Sequence, residues 1–556
     1  MKKLKMLTVL SLSGVIALSG CSSSKSGDNS SNTPKESSAA TTAQAAPVKA
    51  TWFSDASFWN APTPWNTDPK SVEGAITQKT GLTFDFNIPA QDGGTKLSLM
   101  LATSDPLPDL ITLTDDTLEK KLISSGKVWK LDEFLKKYAP SLPLLTKYPQ
   151  DLMKAQIKRD GAWYAIPSHV SSPDLVKTYP ASSDVRTDGA KYGQNNNVMF
   201  NETLMKEAGL TVNDLKTEDG VLAAFEKVKS MKVDGVPVIP LQINGKTWWG
   251  GTLPTLQDSF GTMLVDKDGN YRDSYFAPET KHALEFLFKA AKGGYFDPGQ
   301  MTMDDKAMST NTMSGRVFCF IGNVANAGLG DPKGTKWVSA GAIHSNQNTK
   351  PVHQTFSLVG TGWMQTYVSK TAANPERLAK FLDFMSSDEG QLLWNFGFEG
   401  EHYTLKDGLV IKTEKGIQDA KDGPKTGVGM FWPFANGAFN DHVAAPPNAD
   451  ELMSLQITQS MGREAVLFDA SDLVWPGDLI PAGSKMANDL AQIDIYKHAQ
   501  ISKMVLAKDE ASFNKAYDEM ISKLKQMGQT EIDAKYNEQF HKSQQESGRT
   551  LKGVNS

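Results

Sequence analysis

A helix is predicted where the chain reads Asn374-Pro375-Glu376-Arg377-Leu378-Ala379-Lys380-Phe381-Leu382-Asp383-Phe384. Proline suits the first helical position, because the N–H that it lacks would have no partner there. The apolar residues recur at helical spacing and form one face: Leu378, Phe381, Leu382 and Met385. A second helix is predicted to begin near Ser387. This part of the chain therefore carries an apolar helical surface that must pack against another layer.

Short apolar strand patterns alternate with helical patterns on both sides of this stretch. The predicted strands include Ala50–Phe53, Leu82–Phe86, Asp109–Leu113, Ala162–Pro167 and Val317–Ile321. The segment 174–197 is polar and is predicted to be irregular, whereas the last third is predicted to be mostly helical. No internal repeat recurs, and the alternation does not close at eight units. The pattern favours an α/β fold with open sheets over a solenoid or a barrel.

The amino-terminal residues follow different rules from the rest of the chain. Residues 1–20 have lysines, a short apolar run and then small residues, which is the order of a secretory signal peptide. The apolar run is shorter than the roughly 20 residues that a transmembrane helix needs. Leu18-Ser19-Gly20-Cys21 resembles the bacterial lipobox, in which the cysteine is acylated. Residues 21–46 lack large apolar side chains and are predicted to be a flexible tether. We expect a lipid anchor at Cys21 on the extracellular face of the cell membrane.

Composition restricts the function of the remaining residues. The net charge of −5 and the lack of a basic stripe argue against a nucleic-acid partner. Of the two cysteines, Cys21 is assigned to lipid, so Cys319 has no disulfide partner. Cys319 lies in an apolar strand pattern and is predicted to be a buried, unreactive thiol.

No catalytic motif, nucleotide-binding loop or zinc-ligand spacing occurs in the sequence, so no cofactor, metal or enzymatic activity is predicted. A carboxylate pair for glycoside hydrolysis has no sequence signature, and the absence of motifs alone does not exclude an enzyme. The chain does contain 12 tryptophans, several beside glycine or proline. Indole rings stack on the apolar faces of sugars, which makes four of them candidate ligand contacts: Trp248, Trp249, Trp363 and Trp432. Core packing is the alternative for each.

Two acidic residues follow the predicted strand Asp109–Leu113. Asp115 and Asp116 would lie beyond the carboxyl end of that strand, where open α/β sheets bind ligands. Capping of the next helix is the alternative role for these side chains.

Several segments resemble the extracellular solute-binding lipoproteins of carbohydrate ABC transporters. The similarity rests on 374–384, on Ser387-Asp388-Glu389-Gly390, and on Phe398-Glu399-Gly400-Glu401-His402-Tyr403. Looser similarity extends over 97–111, 200–210 and 281–298. The resemblance implies two α/β lobes of the type II periplasmic-binding-protein fold, joined by two or three crossing segments. On this sequence the lobes would be 47–166 with 352–411, and 167–351 with 412–556.

The resemblance also implies a function and a ligand site. We expect a monomer that captures an oligosaccharide and delivers it to ABC transporter permease subunits. Trp59 and the turn residues Glu399, Glu401 and His402 join the candidate ligand contacts, although a structural turn is the alternative for the last three. A surface-anchored glycan hydrolase and a receptor for peptides or other solutes are the competing functions. Long relatives carry a calcium loop where this chain has only 232–235, so no calcium is expected there.

Overall fold

The computed structural model describes residues 46–103, 105–329, 334–356, 362–481 and 483–556. The strands of the described residues are β1 Val48–Ser54, β2 Leu82–Asn87, β3 Leu110–Leu113, β4 Ala165–Pro167, β5 Asn196–Asn201, β6 Lys232–Val233, β7 Val236–Pro237, β8 Ile239–Ile243, β9 Val317–Asn323, β10 Trp337–Val338, β11 Val352–Thr355, β12 Gln365–Val368, β13 Tyr403–Lys406, β14 Leu409–Lys412 and β15 Val466–Asp469. They alternate with helices, as the sequence predicts.

The α-helices of the same residues are α1 Val72–Thr80, α2 Gly93–Ala102, α3 Asp116–Ser124, α4 Leu131–Tyr138, α5 Pro143–Lys147, α6 Gln150–Asp160, α7 Pro173–Thr178, α8 Asp184–Tyr192, α9 Glu202–Glu207, α10 Glu218–Val228, α11 Thr252–Phe260, α12 Pro278–Lys292, α13 Asp305–Met313, α14 Pro375–Ser386, α15 Asp388–Phe396, α16 Glu414–Lys421, α17 Gly423–Thr426, α18 Gly437–Val443, α19 Ala449–Glu464, α20 Lys485–Val505, α21 Glu510–Gln526 and α22 Gln529–Ser547. None of them is long and apolar enough to cross a membrane.

The first sheet has five strands in the order β2-β1-β3-β12-β4. β1 is parallel to β2 and β3, whereas β12 is antiparallel to both of its neighbours. The predicted helix 374–384 forms α14, and its apolar face is buried on this sheet. Phe381 of α14 lies with its ring centroid 5.7 Å from Trp52 of β1 and 4.6 Å from Phe84 of β2. Aromatic packing thus joins the helix to the two strands, as the apolar spacing predicts.

The second sheet has four strands in the order β10-β5-β9-β8. β8 and β9 are parallel, β5 is antiparallel to β9, and β10 is antiparallel to β5. Its core is covered by α10, α11, α12 and the carboxyl-terminal helices α20 and α21. Cys319 in β9 is fully buried, and burial raises the pKa of its thiol far above the usual value. The predicted inert thiol is confirmed.

Three connections join the two sheets. The first runs from β4 to β5, the second from β10 to β12, and the third from α18 to α19. β5 begins at Asn196, which pairs with Asn323 at the carboxyl end of β9. β12 begins at Gln365, which pairs with Leu113 and Pro167 at the carboxyl ends of β3 and β4. The first connection therefore runs between the carboxyl edges of the two sheets.

A small parallel sheet holds the connections together. β11 belongs to the second connection and pairs with β15, which follows the third. Nδ1 of His353 in β11 lies 3.0 Å from Oε1 of Gln194 in the first connection. The backbone N–H of Gln194 also donates to Thr458 of α19, over 3.0 Å. The first two connections and the segment that follows the third therefore meet within one hydrogen-bonded layer.

Two details differ from the sequence predictions. The segment 174–197 contains α7 and α8 rather than irregular chain, because tertiary contacts stabilise helices whose apolar spacing is weak. Arg186 of α8 forms ion pairs with Asp441 and Glu451 and is almost buried.

The lobe limits stay a prediction, but residues from 428 to 438 pack into the core of the first sheet. That packing favours a first lobe that continues past residue 411.

The link 232–235 forms the tight hairpin β6–β7, with positive φ values at Asp234 and Gly235. Within the described ranges, no group of three His, Cys, Asp or Glu side chains is arranged to hold a metal ion.

The predicted signal peptide, Cys21 and the tether up to residue 45 lie outside the described residues.

A buried charged cluster ties the second connection to the second sheet. Nε2 of His282 in α12 lies 2.7 Å from Oε2 of Glu218, and Lys289 donates to the other oxygen over 3.0 Å. Nε2 of Gln347 in the connection lies 3.1 Å from Nδ1 of His282. Burial alone would lower the pKa of His282, but its contacts with Glu218 and Glu285 outweigh burial and raise that pKa to about 9.

We predict that the free energy of unfolding falls as the pH rises from about 6.5 to about 9. Below this window His282 is protonated in both states, whereas inside it the folded state binds more protons, so stability is lost with rising pH. The full effect is up to about 3 kcal/mol. Urea unfolding across this window checks the prediction. His282→Gln is expected to reduce the slope without abolishing it, because burial also raises the pKa of Glu119 to about 8 and that of Asp258 to about 7. The control His541→Gln is expected to keep the full slope, and an equal slope in both variants would contradict the assignment.

Candidate functional site

The carboxyl edge of the first sheet brings distant parts of the chain together. β1, β3 and β4 end at this edge and β12 begins there, as their registers require. The residues just beyond the strands include Asp55, Thr114, His169 and Trp363. Ligands bind at such edges in open α/β sheets, which makes this edge the candidate functional site.

Three aromatic rings form a surface at this edge, which we call the aromatic platform: Phe58, Trp363 and Trp432. Their planes lie within 10–16° of parallel, and the ring centroids are 5.6–6.1 Å apart. Each pair is therefore offset rather than face to face. Two of the rings are open to solvent, since Phe58 is 54% exposed and Trp363 is 49% exposed, whereas Trp432 is half-buried. Rings of this size are usually buried, so the platform is a surface suited to a flat, partly apolar ligand.

A buried aromatic layer supports the platform. The sequence predicts Trp59 as a ligand contact, but the structure places it in the core, 2% exposed. Its Nε1–H donates to the carbonyl of Met430 over 2.8 Å, and its ring packs edge-on against Trp432 at 5.9 Å. Trp59 therefore fixes the position of the platform instead of touching a ligand.

His169 lies at the margin of the platform. Its ring centroid is 5.7 Å from that of Trp363 and 6.1 Å from that of Trp432. The residue has a φ of 53°, and its backbone N–H donates to Ala435 over 2.7 Å. Burial against these rings lowers the pKa of His169. A neutral imidazole at this position can donate one hydrogen bond and accept another.

Gly362 allows Trp363 to reach the platform. Its φ is 79°, and a Cβ atom there would lie 2.7 Å from Cβ of Pro167. Only glycine tolerates both the left-handed conformation and this approach.

The predicted acidic residues Asp115 and Asp116 lie at the same edge, beside a third aspartate, Asp55, which the sequence analysis did not single out. The Asp55 carboxylate accepts hydrogen bonds from N–H and Oγ1–H of Thr114, at 3.0 and 3.1 Å. Burial raises the pKa of Asp55. The hydrogen bonds from Thr114 lower this pKa, and the negative charge of Asp115 raises it, but both effects are smaller than that of burial. Oδ1 of Asp115 accepts from the N–H of Leu118 over 2.9 Å and caps α3, so the capping alternative is realised. Both Asp115 and Asp116 remain exposed to solvent.

The carboxyl edge of the second sheet carries amides and one exposed indole. The N–H of Asn323 donates to Oδ1 of Asn244 over 3.1 Å, which joins the ends of β9 and β8. The predicted contact Trp248 is instead a core residue, 2% exposed. Trp249 is 41% exposed and stacks on His498, with ring centroids 3.9 Å apart. Of the predicted pair, only Trp249 is accessible at this edge.

The predicted turn residues make contacts within their own turn. His402 is buried, its Nδ1 accepts from the N–H of Phe398 over 2.9 Å, and its Nε2 lies 3.0 Å from Oδ2 of Asp419. Oε1 of Glu401 lies 3.5 Å from Nζ of Lys415. The backbones of Glu399 and Tyr403 form an isolated β-bridge. These contacts favour the structural-turn alternative, and none of them joins the turn to the platform.

Sequence reasoning missed Phe58 and His169. The signal for Phe58 was the adjacent pair Phe58-Trp59, but the sequence could not decide which ring faces the solvent. No pattern around His169 connects it with Trp363, which lies almost 200 residues later.

A separate cavity of about 650 Å³ lies between α8, α19 and the loop 339–341, away from the platform residues.

Comparisons with known proteins identify the family. The model described as bacterial extracellular solute-binding protein matches residues 63–392, more than half of the chain. No curated protein sequence matches the chain. The Streptococcus pneumoniae ABC-transporter substrate binding protein FusA in complex with kestose is similar in structure, with a TM-score of 0.66 and 16% identity. The match covers 90% of this chain and 100% of FusA.

Two further solved structures share the fold. An HMO-binding, ABC-transporter-associated solute-binding protein from Bifidobacterium longum infantis has a TM-score of 0.62 and 14% identity, covering 89% of this chain and 99% of its own. The N-glycan transport solute binding protein NgtS from S. pneumoniae, in complex with Man1GlcNAc, has a TM-score of 0.53 and 15% identity, covering 89% and 99%. The predicted two-lobe α/β fold is confirmed, and the chain belongs to the bacterial extracellular solute-binding protein family.

Proposed function

We propose that this protein captures an oligosaccharide outside the cell and delivers it to the permease subunits of an ABC importer. The observation that carries the proposal is the aromatic platform at the carboxyl edge of the first sheet, which the first connection joins to the carboxyl edge of the second sheet. The family and the sugar-bound relatives FusA and NgtS support the same function.

The chemistry of the edges fits a sugar. Pyranose and furanose rings have apolar C–H faces, which pack on aromatic rings, and polar edges, which need hydrogen-bond partners. The platform supplies the stacking surface, while the carboxylates of Asp115 and Asp116 and the neutral ring of His169 supply partners for hydroxyl groups. Trp249 provides a second exposed indole on the opposite edge.

Capture and release then depend on closure of the two lobes. The layer of β11 and β15 joins the connections, so we assign the bending to this region. A ligand favours the closed arrangement only through its differential affinity for that state. A sugar that contacts both edges at once has such a preference, whereas a sugar that contacts one edge has none.

Calorimetry tests this function against the hydrolase and peptide-receptor alternatives. The panel contains malto-, cello-, manno-, galacto- and fructo-oligosaccharides, oligogalacturonates, and short peptides. We expect stoichiometric binding of at least one oligosaccharide, with no new reducing ends after prolonged incubation. Turnover would favour the surface hydrolase, and binding of peptides but no sugar would favour the alternative receptor.

Replacing Trp363 tests the platform itself. Trp363→Ala removes a half-exposed ring and is expected to weaken binding of the tightest panel sugar by about 2 kcal/mol, about thirtyfold in Kd. The matched control is Trp129→Ala, because Trp129 contacts the carboxyl end of β12 and therefore lies at the opposite edge of the same sheet. Equal losses of affinity in the two variants, measured by calorimetry, would contradict the placement of the site.

The anchor at Cys21 belongs to the same proposal. Acyl chains there, with the tether 21–46, would keep the binding protein beside its permease, since each buried CH2 contributes about 0.8 kcal/mol to membrane binding.

Cys21→Ala is expected to move the protein from the membrane fraction without changing its sugar affinity in vitro, because the anchor and the platform are separate. Fractionation of cells and calorimetry measure the two effects. Unchanged membrane association in the variant would rule out the lipid anchor.

A further inference from the structure

We propose that the binding edge selects uncharged glycans and rejects glycans that carry carboxylates. This inference rests on the proposed function and names the substrate class of the same site. It follows from the carboxylates that lie at the same edge of the first sheet as the aromatic platform.

Four carboxylates converge at the carboxyl ends of β1, β2 and β3. They belong to Asp55, Asp92, Asp115 and Asp116, and all but Asp55 are exposed. The Thr114 hydrogen bonds hold Asp55, three residues before Phe58, against the end of β3. Asp115 lies close enough to raise the pKa of Asp55, after the larger effect of burial. Asp55 and Asp115 therefore interact, and all four carboxylates follow strands that end at the same edge.

Helix packing fixes this arrangement. Asp92 caps α2 as Asp115 caps α3, with Oδ1 accepting from the N–H of Thr95 over 3.1 Å. A Cβ atom on Gly93 would lie 2.8 Å from Cα of Asp55, and one on Gly94 would touch Leu118 of α3. The two helices therefore begin side by side, with Asp55 between their first residues. Each capping bond uses only Oδ1, and Asp92 and Asp115 are exposed, so each carboxylate can accept a further hydrogen bond from a hydroxyl group.

One positive side chain lies in the segments that carry these carboxylates. Each capped helix contributes about half a positive charge at its first turn, which its own cap largely offsets. Lys96 lies on the exposed side of α2, and its Nζ donates to Oδ1 of Asn87 over 2.5 Å. In the segments 54–58, 87–96 and 113–118 the four carboxylates face this single ammonium group. They give this part of the edge a negative potential, which attracts hydroxyl donors and repels an anionic sugar.

A matched set of probes isolates charge from shape. The first probe is the neutral panel oligosaccharide that binds most tightly. The second is the same oligosaccharide after oxidation of its primary hydroxyls to carboxylates. The third is the methyl ester of that oxidised product, which has the added bulk without the charge. Calorimetry at 20 mM and 500 mM salt compares all three. The distance over which exposed charges interact falls from about 20 Å at the lower concentration to about 3 Å at the higher one.

We expect the acid to bind at least tenfold more weakly than the ester at low salt, with a smaller difference at high salt. The double variant Asp115→Asn and Asp116→Asn is expected to reduce the difference, because asparagine keeps the helix cap and removes the charge. Asp268→Asn, at the exposed turn after Val265, is the control and should leave the difference unchanged.

The outcomes separate this inference from the proposed function. Equal or tighter binding of the acid, or an oligogalacturonate as the tightest panel ligand, overturns the selection by charge and leaves sugar capture intact. Failure of every sugar in the panel to bind overturns sugar capture, and the inference with it. A difference between acid and ester that the double variant and the control retain equally would assign the selection to other residues and overturn the role given to Asp115 and Asp116.

Discussion

The packing of the Trp52 ring organises the binding half of the molecule. Its Nε1–H donates to Oγ1 of Thr112 over 2.7 Å, which joins β1 to β3 inside the sheet. The ring also contacts Trp59, Phe381 and Phe434, at centroid distances of 5.0–5.9 Å. Aromatic contacts of this kind contribute about 0.5–1.5 kcal/mol each beyond the area they bury. One buried side chain thus connects the sheet, α14 and the two segments that carry Phe58 and Trp432.

This arrangement explains how an exposed aromatic surface keeps its shape. Phe58 and Trp363 are open to solvent, and both stack on the half-buried ring of Trp432. Trp59 holds Trp432 in place, because its indole nitrogen donates to the carbonyl of Met430 and its ring lies against Trp432. A preorganised surface loses little conformational entropy when a ligand binds. If a sugar binds on the platform as proposed, the buried layer contributes to affinity without touching the sugar.

Much of the fold was predictable from local patterns. The spacing of Leu378, Phe381 and Leu382 predicted α14, and the apolar run around Cys319 predicted β9, because burial of these side chains is the dominant constraint on them. The short helices α7 and α8 were missed, since contacts with α18 and α19 stabilise them rather than their own sequences. Local pattern and tertiary packing agree in the core, and they diverge in the connecting segments.

The candidate site was less predictable, for a physical reason. Whether an indole is core or surface depends on what packs over it, and neighbouring residues in the chain do not reveal that. Trp248 and Trp249 are adjacent, yet one is buried and the other is exposed. The edge itself could be inferred from the residues after β3, whereas the meeting of His169, Trp363 and Trp432 depends on the sheet order, which no local pattern encodes.

The central claim is that a ligand binds between the carboxyl edges of the two sheets, with a sugar ring on the aromatic platform. A crystal structure with the tightest panel oligosaccharide tests it most directly. The account predicts a sugar ring packed against Phe58, Trp363 or Trp432, with hydroxyl groups near Asp115 and the chain extending toward Trp249. A sugar bound elsewhere, such as in the cavity between α8 and α19, with the platform still open to solvent, would contradict it.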